Sequence, residues 1–369
     1  MLEESSSSSS EIEVAPLPNV MLTKNGRFFF SDEDVAAAQR QMAHSFMREM
    51  GRRLFTGKSI MNQSLPVVPI AWAPMTQSEQ LARQLFFNLH LLEEAHDTSG
   101  VRRFSACVAY AMSSLYSSIT DQRKAFNPMI GEGYEGSFMV TQAQTYRVDV
   151  VTEQVRNHPP TSFYTVRIPS ICTIYGATVL EANIFMNRVR IVRGGKIRIV
   201  FEDGSPRTVE FQVPPFHLSG LLWGKRWGMF LTGFDVFGYH DSRQDLPLKD
   251  EQDKQDGQSE SIVPCCSCNI YLGKRRDSNN MHGTITGFSE EIEVSGSWAG
   301  TLCIGDVEYN LLEKELSVLE LKYPVSRYKL DGRMRPDLLH YVVGEIEEAN
   351  KAKKALEERQ RNDRTLRSE

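Results

Sequence analysis

Between about Ser137 and Glu313 the chain is a succession of short segments rich in β-branched and aromatic residues, broken by Gly, Pro, Asn and Asp. Lys196-Ile197-Arg198-Ile199-Val200-Phe201 is one of them, and "SFMVTQAQTYRVDVVTEQV", "RTVEFQV" and "MFLTGFDVFGYHD" are others. Alternation with a period of two puts one set of side chains on each face of a strand. Many such segments, separated by turn residues, predict an antiparallel meander or barrel. The polar, charged run Asp241 to Glu260 reads as a loop between strands.

Helical patterns flank this stretch. Ser31 and Asp34 have capping-box spacing before a helix running towards Phe55. Beyond the Pro-rich connector "SLPVVPIAWAP", Leu81, Leu85, Phe86, Leu89 and Leu92 predict a helix over 77–97. Val101, Phe104, Val108, Met112 and Leu115 predict another over 101–119. After Pro336 the pattern is helical again, and "GEIEEANKAKKALEERQRNDRTLRSE" is charged nearly all round, as solvated surface helices are. Residues 1–13 are serine-rich and acidic and read as a disordered tail, and "VAPLPNVMLTKNGRFFF" reads as a flap rather than a strand. The expected fold class is α+β, mainly β.

With 369 residues the chain can form one large domain or two small ones and enclose a cavity besides its core. A net charge of −5 argues against a nucleic-acid partner. No window approaches the run of apolar residues needed to span a bilayer, and no secretory leader is visible, so the expected location is cytoplasmic. The six cysteines are then expected reduced. Cys265 and Cys268 have CxxC spacing without a second pair, and they read as strand residues; no metal or cofactor is expected. No nucleophile elbow, HExxH or P-loop is present, so no catalytic residue is assigned and an enzyme is not expected.

Three stretches carry polar groups on rigid backbone. Glu153-Gln154-Val155-Arg156-Asn157-His158-Pro159-Pro160 ends in two prolines that stop a ladder near Val155, which leaves Asn157 and His158 at a strand end. Lys124 and Asn127 lie three apart at a turn marked by Asn127-Pro128 and Gly131, so both donors can aim one way. Lys353, Glu357 and Arg361 follow each other at intervals of four, on one helix face. Taken singly, each also fits a bland reading: a solvated turn, a linker, a salt-bridge ladder.

Together they resemble the oxysterol-binding-protein-related lipid transfer proteins. That family's fingerprint is E-Q-V-S-H-H-P-P. Upstream it carries K-P-F-N-P-x-x-G-E-x-Y-E, matched here by Lys124-Ala125-Phe126-Asn127-Pro128-Met129-Ile130-Gly131-Glu132-Gly133-Tyr134-Glu135. Its C-terminal helix reads K-x-x-x-E-E-x-Q-R, matched by Lys353, Glu357, Glu358, Gln360 and Arg361, and "GRMRPD" resembles the usual lead-in. The likeness runs over roughly residues 50–365.

The resemblance implies one lipid-binding domain over 31–369: a helical part at 31–120, an incomplete antiparallel barrel around an apolar tunnel at 124–313, and a helical part at 336–365, with residues 1–30 as tail and lid. It implies a carrier that extracts phosphatidylinositol 4-phosphate and exchanges it for sterol or phosphatidylserine, working at membranes and membrane contact sites. A phosphoinositide or sterol sensor that does not transport is the alternative. Lys124 and Asn127 would contact the phosphodiester, and His158, Lys353 and Arg361 would grip the 4-phosphate, with Asn157 beside them and Glu357 orienting the cluster. The chain departs from the pattern where Arg156 and Asn157 replace the family's Ser and first His, and Ala125 a Pro. Asn donates an amide hydrogen bond but never becomes cationic; Arg156 restores the charge only if it turns inward. Phe29 and Phe30 before an acidic tract resemble a motif that docks to endoplasmic-reticulum receptors, though a hydrophobic staple on a capped helix has the same composition.

Physical chemistry demands both halves of such a site. Each ammonium–phosphate pair at close range is worth about 4 kcal/mol at an effective dielectric near 20, before desolvation. Lifting a diacyl lipid into water costs about 0.8 kcal/mol per methylene, on the order of 25 kcal/mol in all, so the chains need an enclosed apolar interior.

Overall fold

The computed structural model describes residues 72–120, 124–142, 144–185, 188–220, 227–241, 263–274, 279–312, 317–321 and 330–368, with Val67 and scattered positions from Ile12 to Arg48. Short strands come first: β1 (Ile12–Glu13), β2 (Val20–Leu22) and β3 (Phe28–Phe30). β2 and β3 pair as a hairpin, which corrects the reading of this segment as a flap; Asn25-Gly26, a strong hairpin dipeptide, lies between them in sequence. Described positions from Glu33 to Arg48 are helical, whereas the expected cap Ser31 and, beyond Asp241, the loop expected to Glu260 fall outside the described residues.

β4 (Trp72–Thr76) pairs in parallel with β5 (Lys124–Phe126). Between them lie the helices Gln77–Arg83, Leu89–Asp97 and Gly100–Thr120. The helix expected over 77–97 is therefore two. Asn88 interrupts it in the left-handed conformation (φ 53), and its buried amide donates to the Leu311 carbonyl at 3.1 Å. That bond and fold-wide packing outweigh the unbroken leucine stripe. The Gly100–Thr120 helix is buried on every side from Arg103 to Leu115, so it is wrapped all round.

What wraps it is one antiparallel sheet. β6 (Gly133–Thr141), β7 (Thr145–Asn157), β8 (Pro160–Ile168) and β9 (Cys172–Phe185) form a meander of long strands. Along β7 buried and exposed positions alternate, with Tyr146, Val148, Val150, Thr152 and Gln154 inward. β9 then serves two partners. Its second half, from Val179, pairs with β10 (Arg188–Gly194), and Thr173–Gly176 pair with β11 (Ile197–Val200). Gly195 makes that split possible: its φ is +93, and a Cβ there would sit 2.3 Å from the Ala177 carbonyl oxygen.

From β11 the sheet continues through β12 (Thr208–Phe211) to β15 (Phe234–Tyr239), while β13 (Phe216–Ser219) and β14 (Trp227–Phe230) extend the branch at β10. β16 (Cys266–Leu272), β17 (Asn280–Thr286), β18 (Ile292–Ser297), β19 (Thr301–Ile304) and β20 (Val307–Asn310) follow in order. β21 (Ser317–Leu321) returns to pair with β6, and β1 adds to it through Ile12↔Glu320. Among the described residues no ladder joins β20 to β1, so the barrel is incomplete, as expected. Its inward residues, Phe138, Val166, Ile199, Phe211, Val236, Ile270 and Val294 among them, join Phe104, Val108, Met112 and Leu115 in one apolar cluster.

The chain ends in the helices Pro336–Val342 and Ile346–Ser368. The last is not solvated all round: Ala349 and Lys353 are buried. The sequence hides this seam because two of its inward positions, Asn350 and Lys353, are polar, and polar side chains with partners do not register as an apolar stripe.

Candidate functional site

At one end of the barrel a slab of aromatic rings carries two ammonium groups. Trp72 and Phe126 are fully buried, with ring centres 4.8 Å apart. The β4–β5 ladder sets Trp72 opposite Lys124. Lys124 Nζ lies 4.4 Å from the centre of the Trp72 ring and Lys353 Nζ lies 5.6 Å from it, a cation–π arrangement shared by two cations. Tyr341 closes the slab: its ring stands edge-on to Phe126, and its hydroxyl donates to the Trp72 carbonyl at 2.8 Å.

The polar partners come from the stretches that the sequence singles out. Lys124 Nζ donates to Asn127 Oδ1 and to the Ala125 carbonyl, each at 3.0 Å. Lys353 Nζ donates to Glu357 Oε1 at 2.5 Å, and Gln360 Nε2 reaches the Pro128 carbonyl at 3.3 Å, which fastens the last helix to the Asn127-Pro128 turn. Protein crowds the Lys124 ammonium, and its pKa falls to about 7: burial is the largest cause, the neighbouring Lys353 adds to it, and Glu357 offsets part. This Lys is thus divided between charged and neutral forms near neutrality.

Arg335, from the "GRMRPD" lead-in, holds the turn from behind. Its guanidinium forks onto Asp337 at 2.8 and 3.0 Å, reaches Glu132 Oε2 at 3.1 Å and donates to the Asn127 carbonyl at 2.5 Å. Glu132 Oε2 also accepts from Met129 N–H at 3.1 Å. The backbones of Gly131, Glu132 and Gln154 exchange hydrogen bonds of 2.7 and 2.9 Å, so the turn is tied to the hairpin that bears Asn157 and His158. Sequence reasoning missed Trp72, Arg335 and Glu132 as parts of this assembly. Their partners are distant along the chain, and only the lead-in motif hinted at Arg335.

Lys124, Asn127, Lys353 and Glu357 are therefore brought together. His158 and Arg361 are exposed, His158 on the β7–β8 hairpin and Arg361 one turn beyond Glu357. β7 runs on to Asn157, which pairs with Pro160, so the ladder does not stop near Val155 as the prolines suggested; Pro160 opens the return strand, where a missing N–H is tolerated. Arg156 points to solvent rather than inward. Gln154 is buried, accepts from Ser162 Oγ at 2.5 Å and donates to the Arg156 carbonyl at 2.6 Å.

Inside the wall, a cavity is lined by Leu81, Leu85, Tyr164, Ile197 and Val213 on its apolar side and by Gln84, Ser118 and Arg193 on its polar side. Arg193 donates to Gln84 Oε1 at 2.7 Å and to Ser118 Oγ at 2.9 Å.

An open antiparallel barrel wrapped around a helix, with a buried and a half-buried lysine gathered on one ring, defines a class of solved folds. The structure aligns with that of the Osh3 ORD in complex with PI(4)P from Saccharomyces cerevisiae at a TM-score of 0.60, with 17% identity, over 98% of this chain and 88% of that one. It aligns with the Osh1 ORD domain in complex with cholesterol at 0.61, with 18% identity, over 89% and 80%. Residues 51–242 match the family described as oxysterol-binding protein, and the chain belongs to that family. It is 23% identical to oxysterol-binding protein 9 of Dictyostelium discoideum over 91% of this chain and 78% of that protein. It is 25% identical to oxysterol-binding protein homolog 3 of Saccharomyces cerevisiae and 24% to oxysterol-binding protein-related protein 2B of Arabidopsis thaliana, but spans only 32% and 45% of their lengths.

Proposed function

We propose that this chain is a lipid carrier whose collar of Lys124, Asn127, Lys353 and Glu357 takes the anionic head of a membrane lipid while the barrel encloses its chains. The observation that carries the reading is the convergence of two ammoniums from stretches more than two hundred residues apart on one indole ring, with Glu357 bonded to one and acting electrostatically on the other. A dianionic phosphate monoester relieves the repulsion that these groups feel. Phosphatidylinositol 4-phosphate is the head group we assign, supported by the PI(4)P complex of the Osh3 ORD. His158, Asn157 and Arg361 are proposed to close on it from the hairpin and the last helix.

Residues 31–369 are read as a single unit. The exchanged lipid is proposed to be a sterol or phosphatidylserine, the sterol reading supported by the cholesterol and ergosterol complexes of the Osh1 ORD. Moving lipid by binding alone needs no reaction, and no catalytic role is proposed. Among the described residues no helix is long and apolar enough to cross a membrane.

Purified protein should move a fluorescent sterol or phosphatidylserine between liposomes, faster when phosphatidylinositol 4-phosphate is on the acceptor side. Native mass spectrometry of the protein should find the co-purifying lipid. Extraction without transfer would make the chain a sensor, and extraction unaltered by Lys124→Ala would remove the collar from the reading.

A further inference from the structure

The helix Pro336–Val342 has two faces. Leu338 and Tyr341 pack against Trp72 and Phe126 beneath the collar. Leu339, Val342 and Val343, spaced i, i+3, i+4, turn the other way and are 46%, 63% and 70% exposed. Leu330 and Met334, on the segment that leads into the helix, are 50% and 69% exposed. Single exposed apolar residues are ordinary, but three on one helix face, with two more on the segment leading into it, gather apolar surface of the kind that marks a docking patch.

We infer that this patch is where the protein seats on a lipid bilayer. The inference rests on the proposed lipid-carrier function: a head-group site can empty a bilayer only if its rim meets the lipid–water boundary. The patch is that rim's continuation, since the same short helix backs the collar on one side and bears Leu339, Val342 and Val343 on the other. Leu330 is joined to the collar as well, its carbonyl accepting from Gly133 N–H at 2.9 Å, next to Glu132. Cations flank the patch on two neighbouring elements. Exposed Lys351, Lys354, Arg359 and Arg361 run along the next helix, and Arg156 and His158 stand on the adjoining hairpin. Glu345 bonds His340 Nδ1 and Glu348 bonds Lys351; the other exposed acids on these elements are Glu347 and Glu358 on the helix and Glu153 on the hairpin. Apolar side chains flanked by Lys and Arg are what binds interfaces without spanning them.

The test uses the whole chain and two probes. Phosphatidylcholine vesicles with a minor fraction of phosphatidylserine report docking; water-soluble dibutanoyl phosphatidylinositol 4-phosphate reports the collar. Val342→Asp with Val343→Asp should weaken vesicle binding about tenfold or more while leaving short-chain binding unchanged. Lys124→Ala should lose the short-chain probe and keep most of the docking. An environment-sensitive fluorophore on Val343→Cys, blanked against the unsubstituted chain, should brighten when vesicles are added. Wild-type vesicle binding in the double variant, or a fluorophore indifferent to vesicles, overturns the inference. So does a dimer that the double variant splits, which would give the face to a second copy of the chain. If the short-chain probe fails to bind even the wild type, the collar reading falls while the docking result still stands on the vesicle data.

Discussion

Arg335 and Lys124 are cations packed beside the same aromatic slab, and their surroundings treat them in opposite ways. Arg335 lies 5.9 Å from the Phe126 ring centre with Asp337 and Glu132 on its guanidinium, and its pKa is raised despite burial. Lys124 lies over Trp72 with two neutral oxygens on its ammonium and another lysine nearby, and its pKa falls to about 7. The first site is matched within the fold. The second is matched only in part, by a carboxylate that it shares with Lys353. A structural cation comes with its own anions, whereas a binding cation is left for an incoming one to complete.

Arg335 is where the two sites part most widely. Arg335→Ala would leave Glu132 and Asp337 buried without their cation, and urea denaturation should record a loss of about 3–5 kcal/mol. Lys124→Met should do the reverse, raising stability by about 1 kcal/mol because the half-matched charge is gone, while phosphoinositide extraction from liposomes falls at least about tenfold. If Lys124→Met destabilises as much as Arg335→Ala, the two cations play the same role and the distinction is void.

pH sharpens it further. The folded chain binds the Lys124 proton less tightly than the unfolded chain, so the cost of this group is fully present below pH 7 and eases as pH climbs from about 7 towards 10.5. Anion binding has the opposite sign. It needs the ammonium, so affinity for dibutanoyl phosphatidylinositol 4-phosphate should fall above pH 7, by up to about tenfold per unit. Titration calorimetry across pH 6 to 9 measures the slope. Glu357 supports the charged form, so Glu357→Gln should move the midpoint of that fall to lower pH. The smallest effect is expected at Arg156, which faces solvent: Arg156→Ala should change thermal stability by less than about 0.5 kcal/mol.

What could be read in advance follows the range of each interaction. The β-wall was legible because the alternation in Lys196–Phe201 and its neighbours is a local consequence of facing a core. Lys124 with Asn127, and Lys353 with Glu357, were legible because a turn and a helix place them within their own stretch. The break at Asn88 was not, because its cause is the Leu311 carbonyl, far along the chain. Trp72 sat in a Pro-rich connector with nothing nearby to mark it, and its partners come from residues 124, 126, 341 and 353. Arg335 had only a motif, because Glu132 and Asn127 lie more than two hundred residues before it in the chain.

The helix Gly100–Thr120 has an implication for how the molecule is made. Synthesis delivers it before the strands from Gly133 to Asn310 that surround it, with only the two-residue β1 of that sheet ahead of it. Until those strands emerge, a segment that ends buried on every side has the preceding helix Leu89–Asp97 to lie against but not its wall, and the contacts it finally makes span long stretches of sequence, which is the slow kind of folding. A nascent chain halted near Thr120 should therefore be sticky and dependent on chaperones, and expression of that fragment alone should yield aggregate, whereas chains extended past Asn310 should become soluble.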